Sequence, residues 1–156
     1  SRAKATTSDS PDEARRQHLE FVQAAVSRMA AGSGRAKTWL LPVATAAYGY
    51  ALAQRAWPVA LVGIGAAILF AFLDARYLRE ERAFRVLFRR AVAGTVPLYE
   101  MNSRAYYGKP NGDDEDLRSE NCRWRAIIPS WSVLGFYGPV AAAGVLLIAI
   151  LVFRGP

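Results

Sequence analysis

Among the residues able to carry chemistry, Asp74 stands in the most demanding place. It directly follows an uncharged run from Ala56 to Leu73, with Phe72 and Leu73 immediately before it. A carboxylate at the edge of such a run requires a compensating charge or hydrogen bonds, because burying an isolated anion is costly. Lys37 and Arg35, which open the first apolar stretch, and Arg76, two residues on, are the candidate partners. The expected role is a boundary ion pair that sets the depth of a helical hairpin. A carboxylate at a pore mouth is the alternative.

A run of arginines follows, at positions 76, 79, 82, 85, 89 and 90. Its opening spacing resembles that of a voltage sensor, but Glu80 and Glu81 interrupt it and the segment is too charged for hydrocarbon. Together with Arg123 and Arg125 these side chains are expected to contact anionic lipid headgroups, which attract each by about 1 kcal/mol near the surface. Glu81 with Arg85 and Arg76 with Glu80 have the spacing of helical ion pairs.

Other constellations are weaker. The acidic cluster from Asn111 to Asp116 lacks the glycine and the ligand alternation of a calcium loop and reads as a helix start. His18 is the single histidine and Cys122 the single cysteine, which leaves neither a zinc set nor an internal disulfide. No nucleophile–base arrangement and no phosphate-binding loop is visible. The expectation is a protein that is not an enzyme, with no cofactor and no metal.

The elements that position these residues are helical. Residues 1–10 are polar and patternless and are expected to be disordered. Ser10 and Pro11 open an amphipathic helix over 11–31, with Leu19, Val22, Val26 and Met29 on one stripe and Gly32 and Gly34 as its stop. Three uncharged runs then give three spans: 38–54, 57–73 and 131–153. Gln54 to Pro58 turns the first two into a hairpin, and the second continues as a helix to about residue 93. Residues 94–130 read as a loop ending in a short helix over 113–125, broken by Pro129. Trp39, Trp57 and Trp131 suit the headgroup level. Small residues recur at helix-packing distance: Thr45, Gly49 and Ala53; Gly63 and Ala67; Gly138 and Ala142. The fold class is therefore all-α, an integral membrane protein of three transmembrane helices with a cytoplasmic helical layer.

Composition and charge agree with that class. The chain has 156 residues, 53% of them hydrophobic, and a net charge of +7. In a soluble protein such basicity would raise nucleic acid as a partner. Here the basic residues crowd beside apolar runs, which points to an anionic bilayer instead. Seven Lys and Arg lie in 1–37 and eleven in 74–131, against Arg55 and Arg154 alone on the other side. That asymmetry places the N-terminus in the cytoplasm and the C-terminus outside. No cleavable signal sequence is expected before the first run. The Ala- and Arg-rich usage suggests a bacterial source, and hence a multi-pass protein of the bacterial inner membrane.

Several strings occur in a familiar order: Arg28-Met29, Lys37-Thr38-Trp39, the stretch from Leu73 to Arg85, Ser130-Trp131-Ser132 and Phe136-Tyr137. Over roughly residues 19 to 140 the chain resembles small bacterial membrane proteins similar to the SLATT group, whose name denotes SMODS- and SLOG-associating two-transmembrane proteins. The third span is additional to that plan. The resemblance implies a membrane effector of bacterial conflict systems that opens pores after a partner senses a signal, acting as a homo-oligomer. The alternative is a membrane anchor or scaffold docking a membrane or cytoplasmic protein partner through its basic, aromatic helices.

Overall fold

The structure, a computed structural model, describes residues 11–107 and 122–153. The tail expected to be disordered, the acidic cluster from Asn111 to Asp116, most of the helix expected over 113–125, and Arg154 lie outside the described residues.

The described residues form helices and connecting segments, with no strand among them. Helix α1 spans Pro11–Ala53 and α2 spans Trp57–Val92. A short 3-10 turn follows at Ser103–Tyr106, then α3 at Trp124–Ile127 and α4 at Trp131–Phe153. At about 1.5 Å per residue, the 43 residues of α1 extend about 65 Å and the 36 of α2 about 54 Å.

The first correction concerns the expected stop at Gly32 and Gly34. The chain passes through both glycines without a break, so the amphipathic segment 11–31 and the apolar segment 38–54 are two halves of one helix. Gly32 is buried because the Tyr77 ring of α2 crosses it; a Cβ there would lie 2.7 Å from that ring. It permits a close helix approach rather than ending a helix. Gly34 faces open space.

The C-terminal ends of α1 and α2 both use left-handed caps. At the hairpin, Arg55 adopts φ 49°, and the Ala56 amide donates to the Ala51 carbonyl at 3.0 Å. At the end of α2, Gly94 adopts φ 72° and the Thr95 amide reaches the Arg90 carbonyl at 3.0 Å. Each is a six-to-one closure of the Schellman type. Pro58 sits in the first turn of α2, where its missing N–H leaves no helical bond unmade.

The hairpin packs along its whole length. Near its far end, Val22 meets Ala83, Val86 and Leu87, with Tyr106 and Cys122 closing that core. Nearer the turn, Leu40, Ala44, Ala67 and Ala75 form a second core with Ile127, Val133 and Tyr137. Helix α4 joins here and packs chiefly on α2. It runs parallel to α1, since Lys37 reaches Ser132 and Tyr48 reaches Val140. Tyr48 fixes the middle of this three-helix region: its hydroxyl donates to the Val140 carbonyl at 3.0 Å, and its ring lies over Gly63 and Gly144.

Two helices, α2 and α4, are long and apolar enough to cross a membrane. The first expected span, 38–54, is not among them. Its threonines, tyrosines, glycine and glutamine dilute its aliphatic residues.

Candidate functional site

Where α1, α2 and α4 meet at the end of the apolar region, the structure gathers a set of polar side chains around Asp74. The sequence places them there by register. Ser33 and Lys37 are one helical turn apart on α1 and share the face that α2 covers. Asp74 faces them from α2, and Ser132 and Tyr137 arrive with the first turns of α4.

Asp74 is fully buried. Its Oδ1 accepts a hydrogen bond from the Ser33 hydroxyl. Its Oδ2 lies 3.1 Å from Lys37 Nζ, an ion pair without hydrogen-bond alignment. The lysine side chain is 26% exposed and also donates to Ser132 Oγ at 2.9 Å. The Tyr137 hydroxyl is buried beside the same carboxylate without a well-aligned partner, and the Ser130 hydroxyl is buried nearby in sequence without one. The result is one anion and one cation held by three helices. Arg35 and Arg76, the other candidate partners, are exposed; among the described residues the Arg35 side chain bonds the Ala31 carbonyl of its own helix, at 3.4 Å, and not Asp74.

The arginines divide into two groups. Arg79 is structural: its Nε donates to the Cys122 carbonyl at 2.9 Å, and its guanidinium lies 3.7 Å from the Tyr107 ring centroid and 4.9 Å from that of Trp124. Arg85 pairs with Glu81, the helical pair expected from their spacing. Arg90 covers the Tyr106 ring at 4.8 Å. Arg82, Arg89 and Arg123 are half-buried and also engaged within the chain. The headgroup role expected for all eight therefore needs correcting for Arg79, whose charge is spent on closing the loop onto α2. The expected pair of Arg76 with Glu80 is replaced as well. Glu80 accepts from Ser103 at 2.9 Å and from the Tyr107 hydroxyl. Burial first, then the hydrogen bond and charge of Glu80, push the Tyr107 hydroxyl above its usual range. Arg76, Arg104 and Arg125 are exposed, and their side chains make no hydrogen bond or ion pair among the described residues.

The three candidate interface tryptophans are all exposed: Trp131 at 88%, Trp39 at 65% and Trp57 at 45%. Trp39 and Trp131 flank the Asp74 cluster, whereas Trp57 lies at the hairpin turn. Among the described residues, no three His, Cys, Asp or Glu side chains converge as metal ligands. His18, buried on α1, faces the Glu100 carbonyl at 3.0 Å.

Sequence reasoning missed Ser33, Ser132, Tyr137 and Tyr107, and gave Glu80 a different partner. None carries a local signature, because each matters through a partner between 23 and 95 positions away; the register of the hairpin is the signal that would have paired Ser33 with Asp74. No family model, no curated protein and no solved structure matches this chain.

Proposed function

We propose that the chain is a three-span membrane protein of the bacterial inner membrane that works as an oligomeric pore-forming or membrane-perturbing effector. Its N-terminus and the far ends of α1 and α2 lie in the cytoplasm, and its C-terminus lies outside. The exposed tryptophans at both ends of the apolar region, and the large aliphatic residues exposed between them, support burial in a bilayer.

The observation that carries the oligomeric reading is the outer face of α1. Thr38, Pro42, Thr45, Gly49 and Ala53 recur at steps of four, three, four and four, and all are exposed. A Cβ at Gly49 would meet nothing. A strip this small and weakly polar gains little from lipid tails. It allows a second helix to approach closely and hydrogen-bond across the contact. A second copy of α1 is the simplest occupant, and the ring that results turns the least apolar span away from lipid.

Reconstitution into liposomes tests this reading. The expected results are dye or ion release by wild-type protein, cross-linked oligomers in the bilayer, and loss of both in Gly49→Leu with the monomer still folded. A chain that stays monomeric and leaves liposomes tight overturns it. The alternative, an anchor docking a cytoplasmic partner, is favoured by the reach of the two long helices beyond an apolar layer of about 30 Å. It expects tight liposomes and an intact membrane potential on induced expression.

A further inference from the structure

Beside the Asp74 cluster, one turn further from the apolar region, lies a cavity of about 390 Å³. Its apolar wall is Phe72 and Trp124, whose rings stack with centroids 5.8 Å apart and planes 9° apart. Among the described residues, its polar wall holds Arg76, Arg79 and Arg104 against one carboxylate, Glu80. Both Glu80 oxygens are occupied by Ser103 and Tyr107, and Arg79 is committed to the Cys122 carbonyl and two rings. Arg76 and Arg104 remain: two exposed guanidinium groups on one cavity, with no hydrogen bond or ion pair among the described residues.

We propose that this cavity is a binding site for the phosphate headgroup of an anionic phospholipid, with Arg76 and Arg104 as its phosphate ligands. Planar guanidinium groups with free N–H donors suit phosphate oxygens, and two on one cavity supply both charge and direction. The position argues for a lipid over a free phosphate ester. Phe72 belongs to the last turn of the uncharged run, and Arg76 is one turn beyond it, so the cavity straddles the boundary where glycerol backbones lie. The inference rests on the membrane reading of the apolar helices but not on pore formation.

The experiment uses the full chain in phosphatidylcholine nanodiscs, titrated with phosphatidylglycerol and read by native mass spectrometry. One phosphatidylglycerol per chain, retained saturably, is expected. The Arg76→Gln/Arg104→Gln variant is expected to lose about tenfold or more in affinity. The Arg28→Gln/Arg35→Gln variant removes equal charge from exposed sites on α1 and is expected to change affinity by less than about twofold. Glycerol 3-phosphate in solution is expected not to compete. Equal losses in the two double variants, or retention without saturation, would show diffuse attraction and overturn the site. Competition by glycerol 3-phosphate would assign the cavity to soluble phosphate and overturn the lipid. Carbonate extraction of the chain from native membranes would overturn the membrane reading itself, whereas stable insertion with unchanged binding in the arginine variant overturns the site alone.

Discussion

The two halves of the Asp74–Lys37 pair are not equally costly to remove. Asp74 is fully buried, while Lys37 keeps part of its side chain in contact with solvent and a second acceptor in Ser132. Removing the lysine strands a carboxylate whose remaining hydrogen bond comes from Ser33. Removing the acid strands an amine that can extend outward. Lys37→Ala is therefore expected to destabilise the fold by about 3–5 kcal/mol, and Asp74→Ala by about 2–3 kcal/mol. Asp74→Asn keeps the shape and is expected to be the mildest of the three. Thermal unfolding in detergent gives the order, and an Asp74→Ala loss exceeding that of Lys37→Ala contradicts the argument. If the carboxylate instead lines a pore mouth, Asp74→Asn melts like wild type and changes cation preference in the liposome assay.

At the scale of the element, glycines separate packing from propensity. Gly32 and Gly34 are neighbours in one helix, yet only Gly32 has a ring against it. Gly34→Ala is expected to stabilise the helix by about 0.5–1 kcal/mol, the ordinary gain of alanine over glycine in a helix interior. Gly32→Ala must displace the Tyr77 ring and is expected to cost stability. Gly144→Ala brings a methyl group to 2.5 Å from the Tyr48 hydroxyl and 2.6 Å from Ile64 Cγ1, deep between helices, where about 1–3 kcal/mol is expected. Melting curves of the three single variants decide the matter. A destabilising Gly34→Ala would mean that the helix does bend or break there.

The same glycines show how far sequence reasoning reaches. Helical periodicity, the turn at Gln54 to Pro58 and the end of α2 at Gly94 were all legible, because each depends on local backbone chemistry. The stop expected at Gly32 was not a stop, because a glycine that admits a neighbouring ring looks the same in sequence as one that caps a helix. Lys37 stood among three candidates for Asp74, and only the hairpin register separates it from Arg35 and Arg76. The commitment of Arg79 to Tyr107, Trp124 and the Cys122 carbonyl was invisible, since it joins residues 28 to 45 positions apart that no local pattern connects.

For the whole molecule, the geometry ties together points that the charge pattern addresses separately. Helix α4 runs parallel to α1, so its C-terminal end and the hairpin turn at Arg55 lie on one side of the apolar region. The Asp74 cluster, the cavity beside it and the paired far ends of α1 and α2 lie on the other. Among the described residues, arginine and lysine follow the same division, with Arg55 as the exception. Translocating the crowded side would carry many cations across the bilayer, which the positive-inside bias opposes. In intact cells, with Cys122→Ala as background, a membrane-impermeant maleimide is therefore expected to label Arg55→Cys and Arg154→Cys and to leave Arg104→Cys unlabelled until the membrane is opened. Arg104 is exposed in the fold, so its protection would come from the bilayer rather than from burial. Labelling at Arg104→Cys with protection at both other sites would invert the topology. Protection at Arg154→Cys alone would place both ends of α4 on the cytoplasmic side and reduce the spans to the hairpin.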